Sequence, residues 1–210
     1  ALYATFLNRA FDQLLMDVAL HKAGVTVVLD RAGITGADGA SHNGVWDIAM
    51  CSLIPGLRLA APRDEDTLRA QLRQALDVDD APTVLRYRKG PLPEPMPALR
   101  SVGGVDVLFD EAGAGSSAKL LIVGTGACAP DAIEAARRLA ADGLAVTVVD
   151  PCWLLPISSD LADMADGYDA VLTVEDGIVR GGFGWALRDA LADAGTPVRC
   201  LGAPQNFPEH

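Results

Sequence analysis

The sequence has few basic residues, few aromatic residues and no long apolar run. Its 210 residues hold 17 Lys and Arg against 28 Asp and Glu, which gives a formal net charge of −11. No segment is rich in Lys and Arg, and this argues against a nucleic acid or a membrane as partner, because phosphate groups need a basic face. No apolar run approaches the roughly 18 residues that cross a bilayer. Any anionic ligand must therefore be bound by a few local cations.

Cysteine and histidine are also scarce, with four and three residues. The cysteines form no CxxC pair and have no histidine at zinc-ligand spacing, so the pattern predicts no metal site. We interpret them as small core residues in a reducing compartment. No basic segment followed by an apolar one opens the chain, so no export signal is visible. The cytoplasm is the predicted location.

Half of the residues are apolar and 21% are charged, a composition that excludes disorder. Strands are predicted at 1–6, 25–30, 57–60, 83–87, 105–109, 120–123, 146–149, 170–174 and 198–201. Helices are predicted at 7–22, 46–53, 64–76, 130–141, 160–165 and 183–194. This alternation is typical of an α/β fold, here of two three-layer α/β domains with largely parallel sheets.

A proline-rich segment divides the two predicted domains. Between Gly90 and Arg100 the sequence includes Pro-Leu-Pro-Glu-Pro-Met-Pro, with prolines at alternate positions. Such a segment favours an extended tether over a helix or a central strand. We place the first domain at 1–95, a linker at 96–103 and the second domain at 104–210.

A glycine-rich loop over 31–44 follows the second predicted strand. It is a candidate site because ligands of open α/β sheets bind beyond the carboxyl ends of strands. Its glycines allow close approach of the backbone, while Arg31, Asp38 and His42 supply a fixed cation, an acceptor and a titratable imidazole. Together these groups suit an anionic, hydroxylated substrate. The alternative is a plain turn whose aspartate caps a helix and whose histidine is exposed.

Several motifs resemble the 1-deoxy-D-xylulose-5-phosphate synthase family. The resemblance rests on Tyr3-Ala-Thr-Phe-Leu-Asn-Arg9, on Asp30-Arg-Ala-Gly-Ile-Thr-Gly-Ala-Asp-Gly-Ala-Ser-His-Asn-Gly44, on Leu85-Arg-Tyr-Arg-Lys-Gly90, on Leu121-Ile-Val-Gly-Thr-Gly126 and on Val174-Glu-Asp-Gly-Ile-Val-Arg-Gly-Gly-Phe-Gly184. It implies an incomplete transketolase pyrimidine-binding domain followed by a transketolase carboxyl-terminal domain. Two alternatives stay open: another transketolase-like or 2-oxo acid dehydrogenase β-type thiamine enzyme, and a non-catalytic dimerisation scaffold.

The resemblance implies a thiamine diphosphate-dependent transferase of isoprenoid and thiamine biosynthesis. Such an enzyme condenses pyruvate with glyceraldehyde 3-phosphate to 1-deoxy-D-xylulose 5-phosphate, with loss of CO₂. A homodimer is implied as well. The ligands of Mg²⁺ and of the diphosphate are expected in a missing amino-terminal domain. The chain is therefore expected to be a fragment that is inactive without this partner.

Each motif residue then has an implied role. Phe6 stacks on the aminopyrimidine of the cofactor, and Arg9 braces the loop by pairing with an acid. His42 exchanges protons with substrate oxygens and Asp38 holds a hydroxyl, so these two are the predicted catalytic residues. The predicted substrate-binding residues are Tyr3, Arg31 and Lys89.

Two further segments carry charged side chains. The family pattern has a proline where this chain has Arg88, and the next residue, Lys89, keeps the phosphate-binding charge without the planar fork of arginine. In the second half, Glu175 and Asp176 lie at the end of a predicted strand. We interpret these carboxylates as solvated loop residues or as partners of a helix terminus, in preference to catalytic groups.

Overall fold

The computed structural model describes residues 1–113 and 118–207. The strands in these ranges are β1 (Leu2–Tyr3), β2 (Thr26–Ala32), β3 (Arg58–Ala60), β4 (Thr83–Arg88), β5 (Arg100–Val102), β6 (Val105–Glu111), β7 (Lys119–Gly124), β8 (Ala145–Asp150), β9 (Trp153–Leu155), β10 (Ala170–Ile178) and β11 (Val198–Ala203). The helices are α1 (Leu7–Gln13), α2 (Asp47–Cys51), α3 (Glu65–Leu76), α4 (Ala129–Ala141), α5 (Ser159–Asp166) and α6 (Phe183–Ala190).

The strands form two sheets. The first sheet has the order β1-β2-β4-β3-β9, and all its pairs are parallel except β3 with β9. The second sheet has the order β11-β10-β7-β8-β6-β5, in which β6 pairs antiparallel with both β8 and β5. The predicted α/β fold with largely parallel sheets is confirmed.

Local sequence explains the best-formed helices. Asp64 caps α3, because its side chain accepts a hydrogen bond from the backbone N–H of Thr67 at 2.9 Å. In turn, the backbone N–H of Asp64 donates a hydrogen bond to the Thr67 hydroxyl. Pro130 occupies the first turn of α4, where a missing N–H does no harm. Both helices place apolar side chains on one face and pack against strands. Their positions match the prediction within one residue.

The chain differs from the predicted pattern mainly at short elements. The first strand ends at Tyr3, and a 3-10 turn over Ala4–Phe6 leads into α1, which continues as a π-helix over Leu14–Ala19. The strands β5 and β9 were not predicted, and β5 lies inside the proposed linker. The last helix ends at Ala190, four residues earlier than predicted.

The two sheets share a continuous hydrophobic core. Leu29, Leu59 and Val84 of the first sheet belong to the same buried cluster as Leu121 and Val149 of the second. The strand β9 strengthens this connection, because it follows β8 of the second sheet in sequence but pairs with β3 of the first. The two halves of the chain are therefore packed together, not merely tethered.

A buried arginine also holds the halves and the proline-rich segment together. The Arg63 guanidinium pairs with Asp150 at 3.0 Å and with Asp106 at 2.7 Å, both in the second half. Its Nε donates to the carbonyl of Met96, whose N–H donates to Asp64, each at 2.9 Å. This network fixes the path of the segment that leads from β4 to β5.

No helix in the described ranges is long and apolar enough to cross a membrane. The parallel strands β1, β2 and β4 end at one edge of the first sheet, and the loop that follows β2 extends over this edge. The candidate site lies there.

Candidate active site

The loop after β2 is folded back on itself by glycines. Gly33 and Gly44 exchange backbone hydrogen bonds of 2.9 and 2.8 Å across its base. A side chain at Gly44 would lie 2.5 Å from the Cβ of Ala4, so this close approach needs a glycine. Between the two glycines, short 3-10 turns at Gly36–Asp38 and Ala40–His42 present the polar side chains.

Three aromatic rings meet where this loop contacts the amino-terminal segment. The centroids of Tyr3 and Phe6 lie 5.8 Å apart, those of Tyr3 and His42 5.8 Å apart, and those of Phe6 and His42 6.2 Å apart. The hydroxyl of Thr5 donates to the carbonyl of Ser41 at 2.9 Å and joins the two segments. The Ser41 hydroxyl lies 3.0 Å from Nδ1 of His42. The imidazole is therefore held with its Nε2 edge free of a partner in the described residues.

Two guanidinium groups lie over these rings. Arg31 is 4.4 Å from the centroid of Tyr3, and Arg9 is 5.5 Å from the centroid of Phe6. Arg31 has a φ of 62°, which is unusual outside glycine, and it pairs with Asp30. In the described part of the chain the Arg9 guanidinium has no acidic partner, so the predicted ion pair of Arg9 stays a prediction. Its contact with the loop is through the Phe6 ring.

Asp38 and Lys89 form an ion pair across the mouth of the site. Nζ of Lys89 lies 3.0 and 2.9 Å from the two carboxylate oxygens of Asp38. The hydrogen bond from Lys89 holds the pKa of Asp38 below its ordinary value, and the charges of Arg31 and His42 act in the same direction. Asp38 is therefore an ionised acceptor at neutral pH.

The seven predicted site residues thus form one connected group. Phe6 stays 42% exposed although it is the centre of the aromatic cluster. An exposed aromatic face beside an imidazole and two guanidinium groups is suited to stacking with a planar heteroaromatic ring. Nε of Arg31 is buried and has no hydrogen-bond partner in the described residues.

A second buried arginine, Arg86, is the main residue that the sequence analysis missed. It lies on β4, and its guanidinium pairs with Asp47 at the start of α2, at 2.8 Å, and with Asp176 on β10. Burial raises the pKa of Asp47, and the charge of Arg86 opposes this effect. The motif around Arg86 does not predict these ion pairs, because both partners are distant in sequence.

Glu175 caps the start of a helix, which is one of the two interpretations that its sequence position favoured. Its carboxylate oxygens accept the backbone N–H groups of Phe183 and Gly184, each at 2.9 Å, at the start of α6. Burial raises the pKa of Glu175 to about 7, although the two N–H groups and Arg86 favour the ionised form. Glu175 and Asp176 are thus both engaged in contacts within the protein.

In the described residues no group of three or more His, Cys, Asp or Glu side chains is arranged to hold a metal ion. The four cysteines are free thiols. Burial raises the pKa of Cys51 and Cys152 above their ordinary range and that of Cys128 to about 12, which keeps these thiols protonated.

The comparisons with known proteins agree with this architecture. Residues 1–95 match the family model "Transketolase, pyrimidine binding domain", and residues 115–210 match "Transketolase, C-terminal domain". A solved split-gene transketolase, described as an inactive beta4 tetramer, is 31% identical, with a TM-score of 0.83 over 99% of this chain and 67% of its own. A transketolase mutant of Pichia stipitis, at 20% identity and a TM-score of 0.74, shares the fold.

Curated relatives decide the branch of the family. The chain is 55% identical over 213 residues to 1-deoxy-D-xylulose-5-phosphate synthase 2 of Streptomyces avermitilis, and 54% and 53% identical to the synthases of Rhodococcus erythropolis and Mycobacterium avium. The chain belongs to the transketolase family, in its 1-deoxy-D-xylulose-5-phosphate synthase branch. The matches cover 100% of this chain but only 33–34% of these relatives. The chain thus spans about a third of the length of a synthase.

Proposed function

We propose that this chain forms the aminopyrimidine-binding and substrate-binding side of a 1-deoxy-D-xylulose-5-phosphate synthase active site. The reaction condenses pyruvate with glyceraldehyde 3-phosphate and releases CO₂. The observation that carries the proposal is the convergence of Phe6, His42 and the Asp38–Lys89 pair at one sheet edge. Relatives named as synthases favour this reaction over that of the 2-oxo acid dehydrogenases and over a purely structural role.

The residues present fit thiamine diphosphate on one side. The exposed face of Phe6 and the contacts of Tyr3 and Arg9 suit a planar pyrimidine ring. When bound, thiamine diphosphate supplies a stabilised carbanion. We propose that Mg²⁺ and the diphosphate group are held by the part of a synthase that this chain does not span.

The polar residues of the site then act on the substrates. Ser41 engages Nδ1 of His42, so we assign Nε2 of His42 as the group that exchanges a proton with a substrate oxygen. The ionised carboxylate of Asp38 accepts a hydrogen bond from a substrate hydroxyl. Arg31 and Lys89 bind the carboxylate or phosphate of the substrates, and the Asp38–Lys89 pair opens when phosphate enters.

We further propose that the synthase is a homodimer in the cytoplasm. The apolar surface around Trp46, whose ring is 5.7 Å from that of Phe207, and the 68% exposed Leu53 support an interface between copies. The split-gene transketolase, described as a beta4 tetramer, supports self-association of this part of the fold.

A chimeric synthase tests the proposed function. In it, this chain replaces the matched third of the Streptomyces avermitilis relative. We expect the chimeric synthase to form 1-deoxy-D-xylulose 5-phosphate from pyruvate and glyceraldehyde 3-phosphate in the presence of thiamine diphosphate and Mg²⁺. The isolated 210-residue chain should form none, because it lacks the proposed diphosphate site.

The parent synthase is the positive control, and product is measured by mass spectrometry. A folded chimera that forms no product, under conditions in which the parent does, would contradict the proposal. Turnover by the isolated chain would overturn the assignment of the chain as one side of the site.

A further inference from the structure

A cavity of about 390 Å³ lies next to the aromatic cluster, at the carboxyl ends of β2 and β4. Asp30, Arg31 and Tyr87 line it at the sheet edge, and Leu68 of α3 lies on another wall. The proline-rich segment over 90–93 closes a further side. The cavity thus combines apolar surface with charged groups at its rim.

Four cations line this cavity, and three of them are already neutralised. Arg31 pairs with Asp30, Lys89 pairs with Asp38, and Arg63 is held in the buried network described above. The fourth cation is Arg88, which is exposed and has no acidic partner in the described ranges of the chain. Arg88 is therefore the cation of the cavity lining that has no acidic partner among the described residues.

The strand pairing brings Arg88 beside the other substrate-binding groups. Asp30 pairs with Tyr87 and Ala32 pairs with Arg88, so Arg31 is the extra residue of a bulge between them. Arg88 thus follows Tyr87 directly and precedes Lys89 at the same strand end. A phosphate monoester carries a charge between −1 and −2 and three acceptor oxygens, and a guanidinium fork binds two such oxygens in parallel.

We propose that Arg88 is a phosphate-binding residue that selects the phosphorylated acceptor aldehyde. The proposal rests on the proposed function and extends it. Lys89 is already paired with Asp38, whereas Arg88 has no acidic partner among the described residues. Arg88 therefore gives this site a bidentate contact that a lysine alone does not provide. The proline of the family pattern carries no such group.

The test compares two acceptors in the chimeric synthase. For Arg88→Gln we expect the KM of glyceraldehyde 3-phosphate to rise about tenfold, as loss of a charge-assisted hydrogen bond predicts. The kcat/KM for unphosphorylated glyceraldehyde and the KM of pyruvate should not change. Arg88→Lys should restore part of the lost affinity. Arg137→Gln, at an exposed arginine on α4 away from the cavity, is the matched control.

A binding measurement separates this proposal from the proposed function. Inorganic phosphate is titrated into the same proteins by calorimetry, and we expect weaker binding by the Arg88→Gln variant than by the Arg137→Gln variant. One outcome would overturn the role of Arg88 alone. In it, Arg88→Gln forms product, its preference for glyceraldehyde 3-phosphate over glyceraldehyde is unchanged, and its phosphate binding is unchanged. No product, but weaker phosphate binding by Arg88→Gln, would overturn the reaction and support Arg88. No product and no difference in binding would overturn both.

Discussion

At the residue level, His42 is the side chain on which the proposed proton transfer depends. Its ring contacts Tyr3, Phe6 and the Ser41 hydroxyl, and we propose that its Nε2 edge faces the substrate. In the chimeric synthase we expect His42→Ala to lower turnover about 100-fold or more, which is the size of a general acid–base contribution. The far-ultraviolet circular dichroism spectrum should not change, because the imidazole is half-buried at the loop surface.

His21 provides the control for this prediction, because it is exposed and precedes β2, whereas the loop of the site follows the other end of that strand. We expect His21→Ala to keep the parental turnover, measured as product formed per second under saturating substrates. If His42→Ala also kept it, His42 would be a bystander and another group would have to move the proton.

The positions of the site residues were predictable because they belong to motifs. Tyr3, Phe6, Asp38 and His42 were singled out from the sequence, and the structure brings them together with Lys89. Their roles remain proposals. Arg86 could not be assigned in the same way, since its partners Asp47 and Asp176 come from other elements and ion pairs between distant residues leave no local pattern.

At the level of elements, the start of α6 depends on Glu175. Its folded-state pKa of about 7 lies above the ordinary value of 4.5, so the folded chain holds more protons than the unfolded chain between these pH values. The resulting stabilisation is fully present below pH 4.5 and is lost as the pH rises through 7. Integrated over this interval it amounts to at most roughly 3 kcal/mol.

We therefore expect the free energy of unfolding of the 210-residue chain to fall between pH 5 and pH 8, and to fall less in Glu175→Gln, which cannot ionise. Urea denaturation at both pH values measures this difference. Asp189→Asn, on the exposed face of α6, should keep the parental pH dependence. An equal fall in parent and Glu175→Gln would show that Glu175 is not the group that titrates.

Long amphipathic elements were predictable and very short strands were not. The helices α3 and α4 have clear apolar faces and start signals, and both were placed within one residue. The strands β5 and β9 have three residues each and lie beside proline-rich or loop-like sequence, where periodicity carries no information. The last helix was predicted to reach residue 194 because the alanine-rich sequence continues the apolar pattern. In the structure it ends at Ala190.

At the level of the whole molecule, the two halves of the chain interlock. The strand β9 completes the first sheet, Arg63 and Arg86 form buried ion pairs between the halves, and the hydrophobic core is shared. Removing one partner of such a buried pair typically costs about 3–5 kcal/mol. The sequence predicted two α/β units but could not predict this interlock, because it depends on contacts between residues far apart along the chain.

These contacts between the halves lie next to the elements that carry the site. Arg86 lies on β4, which ends at Arg88 next to the cavity, and Asp176 approaches Gly33 at the base of the loop. The second half of the chain therefore braces the edge of the first sheet, where the site lies. In the proposed function, the loop and the ring of Phe6 together form the surface that faces the cofactor.

The shared site of Phe6 and the glycine-rich loop is the central claim, and calorimetric titration of thiamine diphosphate with Mg²⁺ into the chimeric synthase tests it most directly. We predict that Phe6→Ala weakens binding about tenfold, because the exposed ring face is lost. Leu20→Ala, at a 64% exposed side chain outside the site, should bind as the parent does. Binding by Phe6→Ala as tight as that of the parent would contradict the claim.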